Sequence, residues 1–199
     1  LKHINNPPKI GVLALQGDFK EHINCLKQLD VCTAEIRKPD QLNNLDGLII
    51  PGGESTTIAR LIRIFEFEKI LKKNVNNGMA IWGTCAGMIV LARELTDSRP
   101  EPLGMIDIKV KRNAYGSQID SFEADIYPTL WPDDPFRAVF IRAPAMEDIG
   151  AGVIPLAYLG YDNVVAAREA NVLVTSFHPE LTKDDRFHSY FIDMILGGQ

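Results

Sequence analysis

One cysteine lies between two glycines, at the point where one apolar run ends and a second begins. Residues 80–92 read "AIWGTCAGMIVLA", which places Cys85 in the pattern Gly83-x-Cys85-x-Gly87. The first run favours a strand and the second a helix, and G-x-S-x-G hydrolases expose their nucleophile at a turn of this kind. Glycines allow the sharp bend, and a helix N-terminus favours the thiolate form of a cysteine. The pattern indicates a cysteine nucleophile, although a small buried side chain behind a glycine turn explains it about as well.

A histidine and a glutamate follow another apolar run near the end of the sequence. Residues 174–181 read "VTSFHPEL". A thiol nucleophile needs an imidazole that takes and returns a proton, and a third group that holds one tautomer of that imidazole. Pro179 keeps its predecessor extended, and alternate residues of an extended segment point the same way, so His178 and Glu180 can lie side by side. Taken alone, a turn with a solvated glutamate and a partly buried histidine is the more common explanation.

A third turn supplies main-chain amides. Residues 49–55 read "IIPGGES", and consecutive glycines let an amide face a developing oxyanion. By itself this is a plain turn before a helix. Each of the three loops follows an apolar strand, however, and such loops project from the carboxyl edge of a sheet, where open α/β proteins build their sites. Their joint occurrence predicts one site that contains Cys85, His178 and Glu180.

Strand and helix patterns alternate in the first half of the chain, which predicts right-handed crossovers and a parallel sheet. The predicted strands are "KIGVLALQG", "CTAEIRK", "LDGLIIPGG" and "MAIWGTC". The predicted helices are "FKEHINCLKQL", capped by Asp18; "STTIARLIRIFEFEKILKKNV", one long helix capped by Ser55 or Thr56; and "AGMIVLARELT".

After Pro102 the pattern is rich in strands that are separated by turn residues. The predicted strands are "LGMIDIKVKRNAYG", "FEADIY", "AVFIRAP", "IPLAYLGY" and a hairpin in "VVAAREANVLVTSF" that turns at residues 169–171, and a helix "DRFHSYFIDMIL" follows. We therefore predict an α/β fold: a three-layer α/β/α open, mostly parallel, flavodoxin-like sheet with helices on both faces and added antiparallel strands. A flexible lead-in over residues 1–8 and one domain over residues 9–199 complete this prediction.

Composition excludes several classes of function. The 199 residues carry a formal net charge of −5 with interspersed signs, which argues against nucleic-acid binding. No apolar run reaches the roughly 18 residues of a membrane span, and "LKHINNPPK" lacks the apolar core of a signal peptide. The cysteines, Cys25, Cys32 and Cys85, are widely spaced without a CxxC pair, so we expect no zinc site and a reduced, cytoplasmic setting.

These features together resemble the triad-type (class I) glutamine amidotransferases, in which a cysteine at such a strand-to-helix turn attacks the side-chain amide of glutamine. More narrowly, the sequence is similar to the glutaminase subunits of two-component pyridoxal 5′-phosphate (vitamin B6) synthases. The stretches that carry the resemblance are "IGVLALQGDFKEH", "LIIPGGESTTI", "WGTCAGMI", "VKRNAYGSQIDSFE", "FIRAP" and "VTSFHPEL". Among these, "GGEST" and "RNAYG" are far more specific than the triad, which other glutaminases share.

The resemblance implies a role for each matching position. Cys85 corresponds to the nucleophile, His178 to the base, Glu180 to the orienting acid, and the backbone amides of Gly53 and Ala86 to the oxyanion hole. The implied glutamine-binding residues are Gly52, Gly53, Glu54, Arg112, Ile141 and Arg142, and no metal or organic cofactor is implied. A guanidinium suits the α-carboxylate of glutamine, although without the resemblance Arg112 and Arg142 would be taken for surface ion-pair residues.

The resemblance further implies a partner that consumes the ammonia. This partner is a (β/α)₈-barrel synthase subunit that joins ammonia to pentose and triose phosphates, in a dodecameric core decorated by up to twelve glutaminases. A glutaminase of another synthase, such as imidazole-glycerol-phosphate synthase, is the main alternative; a redox-sensing α/β protein and a non-catalytic scaffold are the others. One departure from the family pattern is Ser117 in "RNAYGSQ", where a basic residue is expected, and this puts contacts of that loop in doubt.

Several residues receive no catalytic role. His22 and His188 are interpreted as structural, Trp82 as a core residue, and Cys25 and Cys32 as packing or surface thiols. Tyr115 is predicted to rim the pocket, and the segment over residues 127–135 is left without a function.

Overall fold

The computed structural model describes residues 7–114 and 121–198. The α-helices in these ranges are α1 (Phe19–Gln28), α2 (Ser55–Ile64), α3 (Phe67–Asn76), α4 (Ala86–Leu91) and α5 (Arg186–Leu196). The strands are β1 (Lys9–Leu13), β2 (Cys32–Ile36), β3 (Gly47–Ile50), β4 (Ala80–Thr84), β5 (Ala92–Leu95), β6 (Ile106–Lys111), β7 (Ser121–Pro128), β8 (Phe136–Ile141), β9 (Ala145–Ile149), β10 (Ile154–Leu159), β11 (Asn163–Glu169) and β12 (Val172–Thr175). No helix in the described ranges combines the length and apolarity that a membrane span requires.

The main sheet combines parallel strands with added antiparallel strands, as predicted, although the two kinds of pair are equal in number where a mostly parallel sheet was expected. Its nine strands have the order β2-β1-β3-β4-β12-β11-β10-β7-β8. The pairs from β2 to β12 are parallel, whereas the pairs from β12 to β8 are antiparallel. A second, three-stranded sheet has the order β5-β6-β9. The hairpin predicted at residues 169–171 joins β11 to β12, which confirms that turn.

Helices cover both faces of the sheet because successive side chains of the central strands point to opposite sides. Leu48 and Ile50 of β3 belong to an apolar cluster with α2, α3 and α4. Ile49 and Trp82 belong to a second cluster with α1 and α5. These residues are fully buried, which explains why their strands read as continuous apolar runs. The predicted core position of Trp82 is confirmed.

The parallel strands β3, β4 and β12 end at one edge of the sheet. Ile50 of β3 and Val174 of β12 both lie opposite Gly83 of β4. The three loops that leave these strands therefore start side by side. This is the edge at which the sequence placed the site.

The long helix predicted from residue 55 onward is wrong, because two helices occupy that region. Glu66 adopts a left-handed conformation with φ 60° between α2 and α3. The apolar spacing explains the break: Ile58 and Ile62 are four apart, but the next buried residue is Phe67, five positions on. Five residues do not return to the same face of an α-helix, so the chain restarts the helix to bury Phe67.

The predicted cap of α2 is also wrong. The capping side chain is Glu54, whose carboxylate accepts hydrogen bonds from the amides of Thr56 and Thr57 at 3.0 and 2.7 Å. A carboxylate at this position satisfies two unpaired amides and complements the positive end of the helix dipole.

The helix predicted after Cys85 ends earlier than expected, at Leu91. Ala92–Leu95 instead forms β5, which pairs with β6. The third strand of that sheet is β9, which the sequence analysis missed. Helix-forming residues in β5 adopt the strand because tertiary pairing outweighs weak local propensity.

Candidate active site

Cys85 occupies a strained turn between β4 and α4. Its backbone has φ 48° and ψ −102°, outside the regions that non-glycine residues favour. Such conformations cost of the order of 1–3 kcal/mol and concentrate at functional sites. The Cys85 amide donates to the carbonyl of Thr175 at 2.8 Å, which ties the turn to the end of β12.

Only glycine fits at the two positions that flank Cys85, because main-chain atoms lie too close for a side chain. A Cβ on Gly87 would lie 2.1 Å from the carbonyl oxygen of Ile50, and one on Gly83 would lie 2.6 Å from the carbonyl of Gly87. Any side chain at either position would therefore push α4 away from the sheet. The tight turn that the glycine spacing predicted is present.

His178 and Glu180 meet as an acid–base pair. Nδ1 of His178 lies 2.7 Å from Oε1 of Glu180, and both residues are buried. The His178 ring and the thiol of Cys85 line the same cavity. Because Nδ1 faces Glu180, Nε2 is the ring nitrogen left for the sulfur. The structure thus brings together the three side chains that the sequence selected.

The electrostatics of this group favour a charged imidazole. Burial opposes the charge on His178, but its hydrogen bonds and charge interactions with Cys85 and Glu180 raise its pKa to about 10. Burial raises the pKa of Glu180, and the contact with His178 offsets part of that increase. An imidazolium held beside a sulfur is the arrangement in which a cysteine acts as a nucleophile.

Asp18 does not cap α1, contrary to the prediction. Its side chain makes no capping hydrogen bond, and its Oδ2 instead lies 3.7 Å from Nδ1 of His178. Burial raises the pKa of Asp18, while His178 partly opposes this effect. In the described residues Asp18, His178 and Glu180 have ligand atoms within 4.8 Å of one another, as a metal site would. Since His178 and Glu180 are hydrogen-bonded to each other, we interpret this group as the acid–base pair and its neighbour.

The glycine loop before α2 packs against the same histidine. A Cβ on Gly52 would lie 2.3 Å from Cε1 of His178, so only glycine fits there. The carbonyl of Gly52 accepts from the amide of Asp18 at 3.1 Å. The amide of Glu54 donates to the side-chain oxygen of Gln16 at 2.8 Å. Gln16 was missed by the sequence analysis, because nothing in its local pattern shows that it supports a loop almost forty residues away.

A cavity of about 440 Å³ opens over these groups. The residues that line it are Asp18, Gly53, Glu54, Ser55, Cys85, Ala86, Ile89, Arg112, Asn113, Ile141, Arg142 and His178. The lining thus includes every predicted site residue except Gly52 and Glu180, which lie directly behind it against His178. A cavity of similar volume, about 460 Å³, lies beside Arg63 and Lys69 and has no thiol or imidazole in its lining.

Five of the six predicted glutamine-binding residues line the cavity, and Gly52 lies behind it. Nε of Arg112 donates to Asp97 at 2.8 Å, so this guanidinium is ion-paired while it lines the cavity. The carbonyl of Ile141 accepts from the thiol of Cys85 at 3.7 Å. Arg142 has φ 41° and an exposed side chain. Tyr115, predicted to rim the pocket, and Ser117, the departure from the family pattern, lie outside the described residues.

Comparison with known proteins decides the family. The model of the SNO glutamine amidotransferase family matches residues 12–197. The chain belongs to this family. The resemblance to glutamine amidotransferases is therefore confirmed, and the chain is an enzyme of the class that releases ammonia from glutamine.

Individual relatives agree with the SNO family assignment. The chain is 54% identical over 188 residues to pyridoxal 5′-phosphate synthase subunit PdxT of Dehalococcoides mccartyi, covering 94% of this chain and 96% of that protein. It is 48% identical over 187 residues to the PdxT subunit of a Roseiflexus species, covering 93% and 99%. A crystal structure of a glutamine amidotransferase superposes with a TM-score of 0.88 at 47% identity, covering 94% and 98%. This superposition confirms the predicted fold class.

Two buried histidines lie behind Glu180, although the sequence analysis treated them separately. Nδ1 of His22 on α1 is 3.0 Å from Nε2 of His188 on α5, and Nε2 of His22 is 3.3 Å from Oε2 of Glu180. Both histidines are fully buried, and both pack edge-on against Trp82. The two residues are 166 positions apart, so no local pattern could have paired them.

These histidines predict a loss of stability in acid. Burial, together with the nearby His188 and His178, lowers the pKa of His22 well below 6.5, and burial lowers that of His188 to about 4. Below pH 6.5 these two histidines bind protons in the unfolded chain but stay neutral in the folded chain. The free energy of unfolding therefore falls as the pH decreases toward about 4. Each such proton contributes a slope of up to about 1.4 kcal/mol per pH unit.

The raised pKa of Glu180 makes the free energy of unfolding rise as the pH falls over part of this range. The effect of His188 is therefore measured as the difference between a variant and the native chain. We expect urea unfolding between about pH 4.5 and about pH 7 to show a shallower pH slope for His188→Gln than for the native chain. Parallel slopes for the two proteins would contradict the assignment of His188 as a buried neutral imidazole.

Proposed function

We propose that this chain is the glutaminase subunit of a pyridoxal 5′-phosphate synthase. It hydrolyses L-glutamine to L-glutamate and ammonia, and it delivers the ammonia to a synthase partner. The observation that carries the proposal is that Cys85 and His178 line one cavity while Glu180 contacts His178 from behind it. The SNO family match and the names of relatives about half identical over their full lengths support the same conclusion.

The proposed reaction is an acyl transfer through Cys85. The thiolate adds to the amide carbon of glutamine, and the amides of Gly53 and Ala86 stabilise the oxyanion of the tetrahedral intermediate. His178 then protonates the nitrogen, the C–N bond breaks, ammonia leaves and a glutamyl thioester remains. Water that gives a proton to His178 attacks this thioester, and release of glutamate restores the thiolate. Glu180 keeps the proton of the ring on Nδ1 and stabilises the imidazolium.

The rim residues bind the amino-acid end of glutamine in this proposal. The guanidinium of Arg112 pairs with the α-carboxylate, since its fork geometry matches a carboxylate. Ile141 and Arg142 form the opposite wall, and Gly52, Gly53 and Glu54 form the wall beside the oxyanion hole. Burial opposes the charge on Glu54, but hydrogen bonds from Thr57 and Thr56 lower its pKa overall, so it stays ionised where an α-ammonium would lie.

The partner in this proposal is a (β/α)₈-barrel synthase subunit that joins ammonia to pentose and triose phosphates. We place up to twelve glutaminase chains around a dodecameric core of such barrels. Docking would complete the oxyanion hole by a flip of the Gly52–Gly53 peptide. The hydrogen bond from the Asp18 amide to the Gly52 carbonyl, 3.1 Å long, holds that peptide in its present orientation. A flip must break this bond, which favours weak activity of the chain alone.

One assay tests both the reaction and the partner. Release of glutamate is measured for the full chain alone and after addition of a purified synthase subunit, together with formation of pyridoxal 5′-phosphate. We expect glutamate release to rise on addition of the synthase, and we expect formation of pyridoxal 5′-phosphate to depend on glutamine. Equal rates with and without the synthase would overturn the docking step, and an absence of glutamate release in both conditions would overturn the glutaminase itself.

The main alternative was a glutaminase of imidazole-glycerol-phosphate synthase. The relatives at 48% and 54% identity are instead named as pyridoxal 5′-phosphate synthase subunits. We therefore retain only the vitamin B6 assignment. A cytoplasmic location remains a prediction from the sequence.

A further inference from the structure

A continuous line of polar contacts extends the acid–base pair into the core. It runs from His178 to Glu180, from Glu180 to His22, and from His22 to His188. We propose that His22 is a positioning residue for the reaction: its Nε2–H group binds the rear oxygen of Glu180 and keeps the front oxygen against His178. This inference rests on the proposed function, because it concerns the same nucleophile and base.

The tautomer of His22 follows from its neighbours. Nδ1 of His22 and Nε2 of His188 face each other at 3.0 Å, so one of these nitrogens carries the shared proton. If His188 is the donor, His22 carries its own proton on Nε2, 3.1 Å from the hydroxyl of Thr84 and 3.3 Å from Oε2 of Glu180. If His22 were the donor, its bare Nε2 could accept from the Thr84 hydroxyl but would also face a carboxylate, and His188 would carry its proton on Nδ1, which has no hydrogen-bond partner among the described residues. The first arrangement avoids that repulsion, so we assign it.

Glu180 needs the donor that this tautomer supplies. Its side chain is fully buried, and Oε1 already pairs with His178. Among the described residues no hydrogen bond of ordinary geometry reaches Oε2, and Nε2 of His22 is the donor that faces it. Leaving a buried charged oxygen without a donor is unfavourable, because nothing replaces the hydrogen bonds that it made to water. An N–H group at this point favours the ionised carboxylate over the protonated one.

The proposed role of His22 also requires that its imidazole is neutral. Burial and the adjacent histidines lower its pKa well below the ordinary value, so it offers a proton without carrying a charge. A cation at this position would compete with the His178 imidazolium for the same carboxylate. A neutral donor instead orients Glu180 and leaves its charge for His178, as donors behind metal-binding or catalytic side chains commonly do.

Other titratable groups also face this region and belong in the interpretation of any pH profile. They are Asp18 beside His178, Cys25 against the carbonyl of Glu180, and His188 behind His22. Glu21 interacts with Asp18 and Cys25, and Asp185 interacts with Cys25.

The test compares side chains that keep or remove the Nε2 donor. In glutamine the amide nitrogen stands the same number of bonds from Cβ as Nε2 of histidine, whereas the amide of asparagine reaches only the Nδ1 position. The variants are therefore His22→Gln, His22→Asn and His22→Leu, each in a Cys25→Ser, Cys32→Ser background so that Cys85 is the remaining thiol. The readouts are the pH dependence of Cys85 alkylation by iodoacetamide and of glutamine hydrolysis with the synthase.

We expect the donor to determine the acid limb of both profiles. Without it Glu180 takes up a proton at higher pH, and the imidazolium beside Cys85 loses its partner. The acid limb should move up by about one pH unit in His22→Asn and His22→Leu, with kcat lower by about 10- to 100-fold. His22→Gln should stay within about threefold of the native kcat, with its acid limb unmoved.

Two results would overturn the proposal. One is an unmoved acid limb in folded His22→Asn, which would make His22 a packing residue. The other is an equal shift in His22→Gln and His22→Asn. If His22→Leu does not fold, the comparison of His22→Gln with His22→Asn still shows whether the Nε2 donor sets the acid limb. Alkylation needs no glutamine, so it tests His22 even if the native chain proves not to be a glutaminase.

Discussion

Replacement of Cys85 by alanine is expected to abolish glutamine hydrolysis. The loss should be about 10⁴-fold or more, because removing the nucleophile of a triad leaves only the contribution of binding and the oxyanion hole. The thioester intermediate cannot form without the sulfur that lines the same cavity as His178. The measurement is glutamate release by Cys85→Ala in the presence of the synthase, compared with the native chain.

The matched control is Cys32→Ala. Cys32 is a free, exposed thiol at the start of β2 and does not line the cavity. We expect this variant to keep the native rate within about twofold and the native stability within about 0.5 kcal/mol. Retention of glutamine hydrolysis by Cys85→Ala, or its loss in Cys32→Ala, would contradict the assignment of the nucleophile.

Replacement of Gly87 by alanine is expected to damage activity and stability together. The added Cβ would stand 2.1 Å from the carbonyl oxygen of Ile50, a main-chain atom that cannot rotate away. Helix α4 must therefore shift from β3 and carry Cys85 and Ala86 with it. Overpacking of this kind costs about 1–3 kcal/mol, and a displacement near 1 Å at the reacting atoms costs about 10²-fold in rate.

Gly152→Ala is the control for the general cost of a methyl group. The nearest atom to its added Cβ is Oε1 of Glu169, at 3.1 Å, which has to move by only a few tenths of an ångström, while Oε2 accepts from the Asp107 amide. Thermal unfolding and glutamate release are measured for both variants. We expect Gly152→Ala to remain within about 0.5 kcal/mol of the native chain. Native activity in Gly87→Ala would show that the turn at Cys85 does not depend on this close contact.

The sequence by itself predicted the elements whose causes are local. Continuous apolar runs identified the buried parallel strands, since a strand covered on both faces needs apolar side chains at every position. The glycines around Cys85 permit the sharp turn that was predicted there. Pro179 restricts the backbone of His178, but Pro179–Leu181 forms a 3₁₀ turn and not the extended segment from which the meeting of His178 and Glu180 was predicted. The common edge followed from the rule that parallel strands end on the same side.

Local rules failed where a distant partner decides the outcome. The break at Glu66 depends on which face of α3 the core accepts, and β5 depends on pairing with β6. Asp18 has the residue type of a cap, yet its carboxylate turns toward His178. In each case a tertiary contact outweighed a local preference of about 1 kcal/mol or less.

The sequence alone therefore determined the reacting groups and the strands that carry them, because backbone restriction and apolar burial act within a few residues. Only the tertiary structure decided what surrounds those groups. Gln16 supports the loop at Glu54, and His22 with His188 closes the rear of Glu180. These contacts join segments that are far apart along the chain, and folding alone brings their polar atoms within hydrogen-bonding distance in a dry core.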